Sequence, residues 1–538
     1  MKSNKILVFI ILAAITIASN LTKAVNIDDT AYLGMARAII SDPWHPLSQE
    51  LNWNDTAEPI FVINQPILVP GLLAVGIKLF GESQIVLHLI ISMTSLAAIA
   101  FFYLIAKTLN IQHALFLTCL FSLGPAFLPG QNLMVDMPLM ALWLIFFWAI
   151  LTARGKHTHR HYLIASLAVS AACLTKYTSL ILLPILLWVL VSRRHWAQLL
   201  YLLIPTSFIV GWSIYNILDF GAVHILGRNV KSVFQNNFFI EIVGWFVGLG
   251  SISPFLIGFL PRPKTKIPPI VRLFGWVFGI IFLGMLILLS VRNQYAIYWA
   301  LFLLTGLLTF IFAVRTAVFK IIAGFSSNDS LTVENNLVLI LWLVGDFAFI
   351  ILFSQFLAIR HIFLALPPIL LMLGEQIPPQ NPDALSTRKI ASVILTASLG
   401  IALAISDYYY ADLYRIQAVK IRAMLGENTH VWVVGHWGWE WYAKMAGMQS
   451  YDNQNSDLQN GDYVVLAEYV HQQQISPGDK LRLKPIRRIE IPAPITTWLR
   501  TTYTDQLGGY YAYVYPYLLP WRFSNAPYVF SIFEVTPP

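Results

Sequence analysis

The chain has 538 residues, 57% of them hydrophobic and only 12% charged, with a mean hydropathy of +0.65. A soluble domain carries about twice that share of charge, and the apolar residues here fall in runs close to the roughly 20 that cross a bilayer; this excludes a single soluble core. The formal charge of +8 comes without an arginine stripe or a basic tail, so it speaks against nucleic-acid binding and for the positive-inside bias of a multi-span protein.

In chain order, the apolar segment from Ile6 to Ala18, behind Lys2 and Lys5, reads as a retained first span over about 5–21. A polar stretch follows, the first external loop at 23–82, holding Asp28, Asp29, Trp44, His45, Trp53, Glu58 and Asn64. Within it, Ala31 to Ile40 is amphipathic and suits a helix lying along the interface. Spans are expected at about 83–106, 113–128 and 133–151, before a strongly basic loop that includes Arg154, His159 and Arg160.

The run from His161 to Val191 is apolar but broken by Thr175-Lys176-Tyr177, and basic Arg193-Arg194 follows. With basic loops at both ends on one side, the run must go out and return, as two short helices meeting at Lys176. Further spans are expected at about 198–216, 238–260, 273–290, 295–314, 336–357, 359–374 and 390–406. That gives about 13 spans, with a cytoplasmic N-terminus and the basic loops 154–160, 193–197, 261–272, 315–335 and 375–389 on the cytoplasmic side. Cys119 and Cys173 both lie in apolar runs and suggest neither a disulfide framework nor a metal cluster.

After Asp407 the chain becomes polar and aromatic. Thr429 to Gly435 reads as a strand ending in a turn, Trp439 to Ala446 as a helix, and Asp462 to Ala467 as a second strand after Asn460-Gly461. The expected division is a transmembrane region at 1–407 and an extracytoplasmic α/β domain at 408–538. Its aromatics, among them Trp432, Trp437, Trp439, Tyr510, Tyr511 and Tyr513, suit sugar rings, or core packing and membrane contact.

Four polar features share the outer face under this topology. Asp28-Asp29 precede Tyr32; Asp136 starts the fourth span before Pro138; Lys176 tips the hairpin; Arg360-His361 start a late span. Taken singly, each has a plain reading, as helix caps for the acids, a snorkelling lysine or an interfacial anchor. Carboxylates and cations gathered at headgroup depth suit a reaction on a phosphate-linked lipid. A carboxylate takes a proton from an acceptor hydroxyl or amine, while lysine and arginine hold a phosphate and offset leaving-group charge. No Walker loop or Gly-rich nucleotide loop is present, so an activated donor must be membrane-borne.

These motifs resemble the integral-membrane glycosyltransferases of GT-C fold that use polyprenyl-phosphate sugars, the bacterial family that includes protein O-mannosyltransferases and the aminoarabinose transferases of lipid A. The resemblance rests on Asp28-Asp29-Thr-Ala-Tyr32, with aspartate where the second acid is often glutamate; on Asn64-Gln65-Pro66, loosely; on Asp136-Met137-Pro138; on Leu174-Thr-Lys176-Tyr177 with Pro184; and on Arg360-His361-Ile-Phe363 with Pro367-Pro368. It runs from about residue 1 to 400, carried by order, spacing and common side.

It implies a polytopic α-helical membrane enzyme that moves a sugar, with inversion, from a polyprenyl-phosphate carrier to a protein, lipid or cell-envelope glycan outside a bacterial inner membrane. Asp28 is then the general base. Asp29 and Asp136 shape the site or bind the acceptor, Lys176 and Arg360 hold the donor phosphate, and Tyr32, His45, Asn64, Tyr177 and His361 line the substrate. Some related enzymes place a divalent metal between acids; Asp28, Asp29 and Asp136 do not by themselves separate that case from a metal-free one, and no metal ligand is assigned. The alternatives are a multi-span transporter, disfavoured by the lack of an internal repeat, by the four polar features lying at one edge and by the external domain that follows, and another lipid-linked glycan-processing protein, disfavoured by acids in the first loop.

Overall fold

The computed structural model describes residues 2–53, 56–63, 65–154, 158–227, 238–260, 295–354, 356–376, 386–503, 508–512 and 519–537. The expected span at 273–290, the basic loop at 261–272, Asn64 and Tyr513 lie outside the described residues. Among those described, five helices are long and apolar enough to cross a membrane: Gln84–Thr108, Trp196–Phe220, Ala296–Ser326, Ser330–Phe353 and Thr387–Leu425. Six shorter apolar helices accompany them, including Lys5–Ala18, Asp136–Thr152 and Ile359–Gly374. A bilayer has no water to satisfy exposed peptide groups, so helices are the economical way for these runs to cross.

Asp136–Thr152 sits at the centre and is buried nearly all round, because its apolar residues leave no polar face. Phe147 stacks on Trp342 of Ser330–Phe353 with ring centroids 3.7 Å apart, and Trp143 Nε1 donates to Ser179 Oγ at 3.0 Å. Trp196–Phe220 is peripheral, with Leu200, Leu203, Val210 and Leu218 exposed, as expected of a lipid-facing helix. Phe238–Ser251 crosses Ala296–Ser326 backbone to backbone. A Cβ on Gly250 would lie 1.7 Å from the Phe302 carbonyl oxygen and one on Gly306 1.9 Å from that of Phe246, so only glycine allows this approach.

The chain turns at Lys176, as in the expected hairpin. Thr158–Cys173 runs out, a 3-10 turn at Tyr177–Ile181 follows, and Leu182–Ser192 returns. The expected span at 113–128 differs: its helix is only Ala114–Ser122, too short to cross. Gly124-Pro125 and Pro129-Gly130 break the rest into turns, and these carry the chain to Asn132 and Asp136.

Thr387–Leu425 continues without a break through Asp407, where the sequence changes character. It leads into a five-stranded sheet ordered Gln449–Ser450, Val431–Val434, Tyr463–Ala467, Tyr528–Val535 and Leu483–Ile491. The first three strands are parallel and the last two pair antiparallel. Trp437–Met445 is the crossover helix between two parallel strands, and Trp439 is buried in the core.

Candidate active site

The acidic loop is tightly built. Ile27 adopts φ +45°, which costs a β-branched residue energy and marks a loop held by its surroundings. Helix Asp29–Ser41 follows, with Asp28 at its N-cap position but making no side-chain capping bond. The Asp28 carboxylate instead accepts from Arg360 Nη1. Asp29 is fully buried, and its Oδ2 accepts the Asn26 N–H at 2.9 Å. Burial pushes the Asp29 carboxyl up to about 7, against the pull of Lys23 and of the Asn26 and Leu133 amides.

Asp136 opens its helix without a capping role; its Oδ1 accepts from Lys176 Nζ at 3.3 Å. Arg360 lies in the turn Ile359–Ile362, with Met134 Sδ 3.7 Å from Nη1 and the Phe356 ring centroid 5.6 Å from its guanidinium carbon. Both ion pairs are mostly but not wholly buried, with side-chain exposures of 8–20%. One member of each, Asp136 and Arg360, borders a small cleft with Asn132, Met134, Tyr510 and Tyr511, of about 10 Å³, room for roughly one water.

Around this centre the other candidates divide. Tyr32 is buried within the electrostatic reach of Arg360. His361 Nδ1 lies 3.1 Å from the Phe356 carbonyl oxygen, in the field of Lys176 and Arg360. The Tyr177 hydroxyl bonds His224 Nδ1 at 2.7 Å and accepts from Trp212 Nε1 at 2.9 Å. That cluster borders an apolar groove of about 400 Å³ formed by Ile67, Leu174, Phe208, Gly211, Trp212 and Tyr215. His45 is not drawn in; its exposed ring lies 3.1 Å from Asp42 Oδ2. Among the described residues no three His, Cys, Asp or Glu side chains converge to hold a metal ion. Asp28 and Asp136 each face a cation instead, so these described residues do not fit a metal.

Two features escaped the sequence reading. Lys23, Asn132, Asp407, Thr501 and Tyr511 form a buried polar ring behind the acidic loop. Asp346, mid-span in Ser330–Phe353, is fully buried in the field of Lys176. Lys23 and Asp346 carried a signal, as ionisable residues at or within apolar runs. Tyr511 stood out only as one of several aromatics suited to sugar rings or packing, with nothing to mark it as a partner of Asp407.

Residues 64–214 match the family model described as dolichyl-phosphate-mannose-protein mannosyltransferase. No curated protein sequence matches the chain. Among solved structures, the chain is similar to the archaeal oligosaccharyltransferase AglB from Archaeoglobus fulgidus, at 12% identity and TM-score 0.44, over 87% of this chain and 69% of that one. It is similar to ArnT from Cupriavidus metallidurans, solved with undecaprenyl phosphate, at 13% identity and TM-score 0.39, over 87% and 94% of the two chains. Its similarity to the S. cerevisiae protein O-mannosyltransferase Pmt1-Pmt2 complex is 14% in identity with TM-score 0.30, over 49% and 37%. The segment that carries Asp136 and Lys176 is thus similar to the mannosyltransferase family that the sequence motifs resemble.

Proposed function

We propose that this chain is a membrane glycosyltransferase that moves a sugar from a polyprenyl-phosphate carrier to a protein, lipid or cell-envelope glycan, with inversion, on the extracytoplasmic face. The observation that carries the reading is a pair of carboxylate–cation contacts, Asp28–Arg360 and Asp136–Lys176, that each send one member, Arg360 and Asp136, to the same cleft. The family match over 64–214 supports it.

In this reading Asp28 accepts the proton of the acceptor hydroxyl or amine as that atom attacks the anomeric carbon. The bond from that carbon to the phosphate oxygen breaks, and the polyprenyl phosphate leaves with its charge offset by Arg360 and Lys176. Both cations are already held by carboxylates, so on phosphate binding each cation exchanges one anionic partner for another rather than giving up water as a bare charge. The apolar groove at Leu174 and Trp212, beside the Lys176 turn, suits the polyprenyl chain.

The test is transfer or hydrolysis from a panel of radiolabelled polyprenyl-phosphate monosaccharides by the purified protein in lipid. Turnover of one donor that drops by about 10²-fold or more in Asp28→Asn establishes the class and names the sugar. A folded protein that turns over no donor in the presence of crude membrane acceptors overturns the reading, and wild-type turnover in Asp28→Asn removes Asp28 as the base.

A further inference from the structure

The C-terminal region does more than rest on the membrane helices. Its segment Gly508–Ala512 enters the cleft, where Tyr510 and Tyr511 stand across from Asp136 and Arg360. The Tyr511 hydroxyl donates to Asp407 Oδ2 at 2.7 Å and accepts from Asn132 Nδ2 at 3.0 Å. Asn132 Oδ1 and Asp407 Oδ2 both accept from Lys23 Nζ, and Asp407 Oδ1 accepts from Thr501 Oγ1 at 2.9 Å. Four parts of the chain therefore close one buried ring: the acidic loop, the turn before Asp136, the last long helix and the C-terminal segment. A second set of bonds runs to the other ion pair. The Tyr510 carbonyl oxygen accepts the Ile359 N–H at 3.2 Å, on the residue before Arg360, and the Tyr510 hydroxyl donates to the Pro125 carbonyl at 3.0 Å.

A buried ion pair adds little stability over an apolar contact of the same size, and a satisfied polar network fixes one geometry. An apolar face would have been enough to dock a domain. The unsatisfied N–H groups at a helix start also need a partner, and for the helix turn bearing Arg360 that partner comes from this segment.

We infer that Gly508–Ala512 is a wall of the active site, in which Tyr511 and the Tyr510 main chain are positioning groups that set Asn132 ahead of Asp136 and the turn that carries Arg360. As a claim about the reaction it rests on the glycosyl-transfer reading; as a claim about positioning it does not.

The experiment compares Tyr511→Phe with Tyr451→Phe in the full chain. Tyr451 is also buried and loses its hydroxyl's bonds to Asp479 Oδ2 at 2.8 Å and from the Ser476 N–H at 3.0 Å, where Tyr511 loses those with Asp407, Asn132 and, at 3.3 Å, the Pro129 carbonyl, but Tyr451 touches none of the site residues. Amide hydrogen exchange is read on peptides covering 126–136 and 359–363, and turnover is read with the active donor. Tyr511→Phe is expected to speed exchange in both peptides and to lower kcat roughly ten-fold, while Tyr451→Phe does neither. Unchanged exchange in Tyr511→Phe, equal effects of both variants, or faster exchange with wild-type kcat overturns the inference. Faster exchange specific to Tyr511→Phe, in a protein that turns over no polyprenyl-phosphate sugar, leaves the positioning role standing and rejects the glycosyl-transfer reading alone.

Discussion

Asp29→Asn isolates the electrostatics of the acidic loop. Asp29 lies outside the spans and is fully buried, and burial, opposed by Lys23, raises its carboxyl from 3.8 to about 7. That rise favours the neutral over the charged form by on the order of 4 kcal/mol. The folded chain therefore binds this proton more tightly than the unfolded chain. Between about pH 4 and pH 7 the folded state holds more protons, so stability falls as pH rises. Below pH 4 both states are protonated and there is no penalty; above pH 7 the penalty is complete. Asparagine matches the neutral acid in shape, keeps an oxygen for the Asn26 N–H and cannot ionise. Thermal unfolding followed by tryptophan fluorescence, for wild type and variant from pH 5 to 8, cancels the other titrating groups in the difference. The variant is expected to gain on wild type as pH rises and to be the more stable at pH 8. A difference that stays flat across this range would refute a buried carboxyl raised by desolvation.

Two further outcomes test the ion pairs. Lys176→Ala removes the cation paired with Asp136, and is expected to raise KM for the lipid donor roughly ten-fold with helical content unchanged by circular dichroism; an unchanged donor KM takes Lys176 out of the site. Lys23→Met leaves Asp407 charged and buried without its cation, which costs about 3–5 kcal/mol, whereas Lys23→Met with Asp407→Leu is expected to recover most of that loss in chemical or thermal unfolding. A double variant no more stable than Lys23→Met would show that Asp407 does not depend on Lys23.

Hydropathy and loop charge put Asp28, Asp136, Lys176 and Arg360 at the ends of apolar runs expected on one side, and the structure joins these four residues in two ion pairs. The hairpin at Lys176 was legible for the same reason: two basic flanks force a return. The short third helix was less so. Its apolar run is long enough for a span, and the breaks come from Gly124-Pro125 and Pro129-Gly130, which an average over hydropathy does not register. His45 shows a different limit, since a loop residue near the acids in sequence is held elsewhere by Asp42, two residues before Trp44.

Partner choice was not legible at all, and it decides what the site is. Sequence order leaves Asp28 free to pair with Lys176 or Arg360; the structure pairs it with Arg360, 332 positions away, and gives Lys176 to Asp136, 40 positions away. The reason is packing. The hairpin that carries Lys176 rests against the Asp136 helix through Trp143 and Ser179, whereas the Arg360 turn is capped from the C-terminal segment and faces the acidic loop. Local pattern fixes where a charge lies along the membrane normal, and helix neighbours fix its position around the bundle. Asp136 and Arg360 therefore reach one cleft from different sides, each with its own partner of opposite charge, and the C-terminal segment that holds them in register belongs to the part of the chain where hydropathy carried the least information.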